Sequence, residues 1–234
     1  MSLGSILSDV ADSEKRLVVY APDGSGTDLA TRLRTRNMTV DHRRLPAISA
    51  DAFVVVRDGE RFRGAVPLVD LLGFLAPSPS PGLDESASEY RHIYDLFDDT
   101  VFVSLDRRQL LATSRELEDR AWRTGRGRLH VGFQRIEALE PQREVYRDMA
   151  GLDIDIHIYV PGAADAVAMF EDTSVTVHTD SDRDLERYWF VLFDDGSEGC
   201  QNCALIAREE ADGRYRGVWT YDPALVDRAF AAVE

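Results

Sequence analysis

Residues 100–160 read TVFVSLDRRQLLATSRELEDRAWRTGRGRLHVGFQRIEALEPQREVYRDMAGLDIDIHIYV, and the spacing of their apolar residues changes from segment to segment. Residues 101–103 are a short apolar run that predicts a strand. Residues 106–124 repeat small and apolar side chains at helical spacing and stop at Gly125, which predicts an amphipathic helix. Residues 128–135 alternate apolar and polar side chains, the pattern of a half-buried strand.

The same region continues with a second helix and a third strand. Residues 139–150 place apolar side chains on one helical stripe, with Pro141 in the first turn, where its missing N–H is tolerated. Residues 153–160 alternate isoleucines with polar side chains, which again predicts a half-buried strand. Two successive strand–helix–strand units predict right-handed crossovers and a sheet that is at least partly parallel.

A smaller α/β half is predicted before this core. Its expected strands are residues 15–21, 40–45, 52–57 and 61–66. The last two flank Asp58-Gly59, a pair typical of a β-hairpin turn, and residues 69–75 follow as a helix. A glycine-rich turn lies after the first strand, but it lacks the full dinucleotide-binding pattern and the lysine of a P-loop.

The clearest boundary is the segment PSPSPG at residues 77–82, because alternating proline gives a stiff, extended connector. We therefore predict a small N-terminal half at 1–76, a linker at 77–88 and a larger domain at 89–234. Beyond the linker, residues 90–97 have the spacing of an amphipathic helix.

Four more strands and a final helix are predicted after the central region. The strands are residues 175–179, 187–193, 203–208 and 214–221. Their short connections favour antiparallel pairing, and Asp222-Pro223 begins the helix. The predicted fold class is therefore α/β (α+β). It has a mixed sheet with a strand–helix–strand–helix–strand core, antiparallel strands after it, and the smaller N-terminal half.

Composition limits the function classes. The net charge is −15 and Lys15 is the sole lysine, a composition that suits work in molar salt, where charge repulsion is screened within about 3 Å. An ordinary acidic protein from a GC-rich genome is the alternative. No apolar run is long enough to span a membrane, and no basic leader precedes one, so we expect a cytoplasmic protein. The acidic balance also disfavours direct nucleic-acid binding.

Three segments, TVFVSLDRRQLLATSRELEDRAWRTGRGRLHVGFQR, REVYRDMAGLDIDIHIYV and RYWFVLF, resemble the DICT sensory domain. That family is named for its association with diguanylate cyclases and two-component systems. The region from SLGSILSDVADSEKRLVVY to FLAP is similar to the N-terminal half of single-domain DICT proteins from haloarchaea, so the resemblance covers most of the chain. It implies a sensory, signal-transducing role with a link to light responses, but no settled ligand and no catalytic residues.

Strand parity groups one set of candidate site residues. His130, His157 and His178 each fall on the polar side of a predicted strand, and Asp155 and Tyr159 share that parity. If helices cover the opposite face, these side chains gather on one surface that could bind a metal or a polar ligand. A solvated or interdomain sheet surface is the other interpretation.

Two further sets remain open. The aromatic residues could line a pocket for a planar ligand or could simply be core; they are Trp122, Phe133, Tyr159, Trp189 and Trp219. The cysteines, Cys200 and Cys203, are spaced for a reversible disulfide or half of a metal site. The alternative is a buried Cys203 with an incidental Cys200, because no second cysteine pair completes a zinc site.

We therefore expect a sensory module that binds an unknown stimulus or small ligand and signals through a protein partner or by self-association. No enzyme activity is expected, no cofactor is predicted, and neither nucleic acid nor membrane is an expected partner. Two alternatives stay open. One is a thiol-redox or metal-dependent enzyme or sensor that uses Cys200 and Cys203, and the other is a non-catalytic structural adaptor.

Overall fold

The computed structural model describes residues 2–11, 15–22, 24–33, 38–46, 51–75, 93, 96, 100–162, 164–179, 185–197, 201–211 and 213–234. Within these residues the strands form two sheets, one of four strands and one of seven. Helices pack on both faces of the larger sheet. The predicted α/β fold with a mixed sheet is confirmed.

The smaller sheet is built from the first part of the chain. The elements there are α1 Leu3–Ala11, β1 Lys15–Ala21, α2 Leu29–Arg32, β2 Met38–Arg44, β3 Phe53–Asp58, β4 Arg61–Pro67 and α3 Leu68–Leu75. The strand order is β2-β1-β3-β4, with β1 parallel to β2 and antiparallel to β3. Strands β3 and β4 pair as the predicted hairpin, and Gly59 in its turn has a φ of +54°, which favours glycine.

The larger sheet follows in the chain. Its elements are β5 Thr100–Asp106, α4 Arg107–Thr124, β6 Arg126–Gly132, α5 Ile136–Leu139, α6 Arg143–Met149, β7 Asp153–Tyr159, α7 Ala164–Ala168, β8 Thr176–His178, β9 Tyr188–Asp194, β10 Cys203–Ala211, β11 Arg214–Thr220 and α8 Pro223–Val233. The strand order is β5-β11-β10-β9-β6-β7-β8. Strands β6 and β7 are parallel, and β9, β10 and β11 are antiparallel, both as predicted.

The pairing of β8 differs from the prediction. The sequence favours antiparallel pairing for residues 175–179, whereas β8 runs parallel to β7. The chain crosses between the two strands through α7, so β7, α7 and β8 form another strand–helix–strand unit. A helix of five residues leaves almost no periodic pattern in the sequence, which is why the crossover was not predicted.

The second predicted helix of the core is divided. The sequence predicts one helix over 139–150, whereas the structure has α5, a 3₁₀ turn at Glu140–Gln142, and α6. Pro141 lies in that turn and has no N–H to donate. The chain therefore tightens locally before α-helical hydrogen bonding resumes.

The larger sheet separates two apolar layers. In one layer, helices α4 and α6 pack on side chains such as Ile156 and Val191. In the other layer, α1 and α8 contribute Ile6 and Phe230, which pack with Phe190. Successive residues of β9 thus face opposite layers, because side chains alternate along a strand. Helix α1 packs on the larger sheet, although it lies within residues 1–76, which are predicted to form the smaller N-terminal half.

The predicted boundary between the halves falls mostly outside the described residues. The linker at 77–88 lies outside them, and the helix at 90–97 is described only at Ile93 and Leu96. Ile93 is buried in an apolar cluster that contains residues of both sheets, among them Leu17. The division into a small half and a DICT-like domain stays a prediction.

Candidate functional site: a histidine cluster beneath the last helix

Three histidines meet on one face of the larger sheet. His130 lies opposite His157 in the parallel pair β6–β7, and His178 lies opposite Tyr159 in the parallel pair β7–β8. Because side chains alternate along a strand, Asp155, His157 and Tyr159 point to the same face. The structure thus brings together the polar residues that strand parity grouped. We call these five residues the histidine cluster.

Hydrogen bonds and ring contacts join the histidine cluster. His157 Nδ1 lies 2.9 Å from His178 Nε2, so one nitrogen donates and the other accepts. His157 Nε2 lies 3.2 Å from Asp155 Oδ2. The rings of His130 and His157 stack with centroids 4.5 Å apart, and the Tyr159 hydroxyl lies 3.2 Å from His130 Nδ1. These contacts form a continuous path from Asp155 to Tyr159.

Helix α8 covers one end of the cluster. The Phe230 ring meets the His130 ring edge-on with centroids 4.9 Å apart, and His130 is 4% exposed. The Arg128 guanidinium lies 4.2 Å from the centre of the Phe230 ring. Arg128 also donates to Glu234 Oε1 at 2.6 Å and to Asp194 Oδ2 at 3.0 Å. Arg128 therefore links β6, beside the cluster, to the end of α8.

Burial favours the uncharged forms of several cluster groups. It lowers the pKa of His130 to about 3, and the nearby His157 and Arg128 act in the same direction. Burial also lowers the pKa of His178. The pKa of Tyr159 is raised to about 12, first by burial and then by nearby carboxylates. The Tyr159 hydroxyl thus keeps its proton and shares a hydrogen bond with Nδ1 of a neutral His130, donating or accepting according to the His130 tautomer.

The orientation of the ring nitrogens suits hydrogen bonding more than metal binding. Among the residues that the structure describes, no group of three or more His, Cys, Asp and Glu is arranged to hold a metal ion. Nitrogens of His157 and His178 face each other, and His130 Nδ1 faces the Tyr159 hydroxyl. This arrangement suits proton exchange or a polar ligand.

The five aromatic pocket candidates lie in three different places. Phe133, Trp189 and Trp219 are buried in the layer beneath α4 and α6, where Phe133 and Trp189 have ring centroids 6.4 Å apart. Tyr159 faces the opposite layer, within the histidine cluster. Trp122 lies on α4 and is 43% exposed. The three buried residues are packed as core side chains, and the sheet separates them from Tyr159.

The surroundings of Cys203 disfavour thiol chemistry. Cys203 begins β10 and is fully buried, and burial raises the pKa of its thiol to about 12. Redox and nucleophilic chemistry need the thiolate, which such a pKa makes scarce at neutral pH. Cys200 lies outside the described residues.

A buried carboxylate on the other side of the sheet was not among the predicted site residues. Glu118 of α4 accepts hydrogen bonds from the Tyr146 hydroxyl of α6 at 2.5 Å and from Arg115 at 2.9 Å. Burial raises the pKa of Glu118, and Arg115 opposes that shift. The available signal is spacing, because Glu118 comes four residues after Ser114 and three before Ala121, on the inward stripe of its helix. The contact joins α4 to α6.

A polar groove of about 570 Å³ lies apart from the cluster, lined by Gln134, Arg187, Arg208, Glu209 and Glu210. Arg208 and Glu210 form an ion pair at 3.4 Å, and Gln134 Nε2 donates to the Arg187 carbonyl oxygen at 2.8 Å. Several of its polar groups thus already satisfy one another.

Comparison with known proteins identifies the family. The model of the DICT family, described as a sensory domain in diguanylate cyclases and two-component systems, matches residues 91–210, just over half of the 234 residues. A polyphosphate kinase structure from Porphyromonas gingivalis is 13% identical, with a TM-score of 0.39 over 97% of this chain and 46% of that chain. A likeness this weak carries no argument. No curated protein matches the chain.

The matched range contains the strands that carry the histidine cluster. The match includes every residue of the histidine cluster, whereas α1 and α8 lie outside the matched range. Among the described residues, no helix is both long and apolar enough to cross a membrane. The chain belongs to the DICT family of sensory domains.

Proposed function

We propose that this chain is a cytoplasmic sensory module that detects a stimulus or small polar ligand at the histidine cluster and signals to a protein partner or a second copy of itself. The observation that carries the proposal is the position of the cluster. Its five residues lie inside the matched sensory domain, while Phe230 of α8 and Glu234 just after it, which cover the cluster, lie outside that range.

A change at the cluster has a short route to the protein surface. His130 touches Phe230 directly, and Arg128 is close enough to His130 to lower its pKa while it binds Glu234. A new charge or a bound ligand at His130 would therefore disturb two contacts that hold α8. Helix α8 packs beside α1, and both are exposed on their outer sides, so a partner can read their rearrangement.

A role without catalysis is part of this proposal. The buried thiol of Cys203, with its pKa raised to about 12, supports a sensor over a thiol enzyme. The adaptor alternative keeps the partner but predicts that the cluster does not control its binding. The two readings therefore differ in how a cluster variant behaves.

The test is cross-linking and partner recovery from the cells of origin. We compare the unchanged protein with His130→Phe, which keeps a ring beneath Phe230 but cannot be protonated. His42→Gln, at an exposed histidine of β2, is the matched control. The proposal predicts a partner, or a second copy, whose recovery changes in His130→Phe and not in the control. Equal recovery from all three would favour the adaptor, and recovery of no partner would contradict signalling by association.

A further inference from the structure

The surroundings of His130 disfavour a positive charge on its ring, first because the ring is buried. The charged and titratable groups around it come from four strands and the end of α8. They are Arg128 on β6, Asp155, His157 and Tyr159 on β7, His178 on β8, Asp194 on β9, and Glu234 after α8. The side chain of Asp155 is 67% exposed to water, and the carboxylates of Asp194 and Glu234 are already bound to Arg128. A proton added to His130 therefore loses water and gains no carboxylate partner of its own.

Geometry also opposes a charged His130. The ring is stacked on His157 on one side and meets the apolar Phe230 on another. Its Nδ1 lies 3.2 Å from the hydroxyl of Tyr159, which keeps its proton, so this neighbour brings no negative charge to a protonated ring. The closed arrangement thus favours a neutral His130.

A positive charge on His130 would act most directly on the contact between Arg128 and Glu234, which holds the end of α8. Arg128 lies over the Phe230 ring and binds Glu234, and its charge also lowers the pKa of His130. Repulsion from a protonated His130 would therefore act on the residue that holds the last turn. The start of α8 has separate support. The Asp222 side chain accepts from the Ala224 N–H at 2.9 Å, and Val226 is fully buried.

We propose that the histidine cluster is a proton-operated latch in which protonation of His130 releases residues 230–234 at the end of α8. Lifting Phe230 admits water to His130, and moving Arg128 with Glu234 relieves the repulsion. The proton is then the stimulus, so the inference rests on the proposed function for its biological meaning. The release itself needs no partner and is measured without one.

The expected change in the opening equilibrium of this turn follows from the linkage between proton binding and opening. If His130 regains its usual pKa of about 6.5 when the turn opens, the opening equilibrium rises about tenfold between pH 7.5 and pH 5.5. The closed form gains almost no protons over that range, because burial lowers the pKa of its His130 to about 3. A tenfold rise in opening appears as a tenfold fall in the protection of the amides in this turn.

The experiment is hydrogen–deuterium exchange of the full chain at both pH values, with rates corrected for the intrinsic pH dependence of exchange. We expect the protection of residues 230–234 to fall about tenfold at pH 5.5, while β9 and β10 change much less. In His130→Phe and in His130→Gln, which keeps an acceptor for Tyr159, the fall should vanish, and it should persist in His42→Gln. Two replacements guard against one that fails to fold.

Other outcomes would contradict the proposed latch. Amide protection of residues 230–234 that is independent of pH, or that falls equally throughout the sheet, would do so. So would an unchanged pH response in either His130 variant. The latch and the signalling function can fail separately. If residues 230–234 are released at low pH but partner recovery is the same in the His130 variants, the latch is supported and the proposed signalling function is contradicted.

Discussion

Acid should destabilise this protein through His130. Burial lowers the pKa of His130 to about 3 in the folded protein, whereas an unfolded chain restores the usual value of about 6.5. Below pH 6.5, His130 binds a proton in the unfolded state but stays neutral in the folded state. The stability that a neutral His130 contributes is therefore fully present above pH 6.5 and is lost as the pH falls towards 3.

The magnitude follows from the two pKa values. Each unit between them corresponds to about 1.4 kcal/mol, so at pH 5 the free energy of unfolding should be about 2 kcal/mol lower than at pH 7.5 on account of His130 alone. This is an upper figure, because release of the last turn of α8 lets His130 accept a proton without global unfolding. His178 acts in the same direction, since burial lowers its pKa as well.

The assay is guanidinium unfolding at pH 7.5 and pH 5.0, followed by tryptophan fluorescence. Between pH 7.5 and pH 5.0, the free energy of unfolding should fall by up to about 2 kcal/mol less in His130→Phe than in the unchanged protein. This difference does not depend on the stability of the variant at pH 7.5. His42→Gln, at an exposed position, should follow the unchanged protein. If His130→Phe and the unchanged protein lose the same free energy within about 0.5 kcal/mol, the account of His130 is refuted.

Three further predictions concern other parts of the fold. Tyr146→Phe removes the hydroxyl that donates to buried Glu118 at 2.5 Å, and it should lower the free energy of unfolding in chemical denaturation by about 1–3 kcal/mol. Arg143→Gln, at an exposed position, is the control, and a smaller loss in Tyr146→Phe than in this control would contradict the prediction. Asp222→Ala removes the cap of α8 and should cost about 1 kcal/mol; an unchanged midpoint would show that the cap contributes nothing. Cys203 should resist alkylation at pH 8 until denaturant is added, and rapid labelling of the folded protein would show an exposed thiol.

Strand parity was enough to group the candidate site. Because the side-chain period of a strand is two, residues such as His130 and His157 could be assigned to a face without knowing the strand order. The antiparallel pairing of β9, β10 and β11 was also predictable, since short connections favour it. What parity could not supply was the neighbour of each strand. The parallel placement of β8, which sets His178 beside His157, depends on the crossover through α7.

The cover of the site could not be predicted from local patterns. Phe230 reads in the sequence as one of several inward-facing residues of a final helix, and nothing in its spacing indicates His130 as its neighbour. Arg128 and Glu234 are separated by 106 residues, so their contact arises from tertiary packing alone. Likewise, residue type alone groups the aromatic candidates, whereas the sheet places Tyr159 on the opposite face from Trp189.

The central claim is that His130 and the end of α8 control each other, and coupling of this kind must be reciprocal. The most direct test is to titrate the histidines by NMR in the unchanged protein and in Phe230→Ala. The account predicts that His130 titrates well below 6.5 in the unchanged protein and moves towards 6.5 when the Phe230 ring is removed. A His130 that titrates near 6.5 in both proteins would contradict the account.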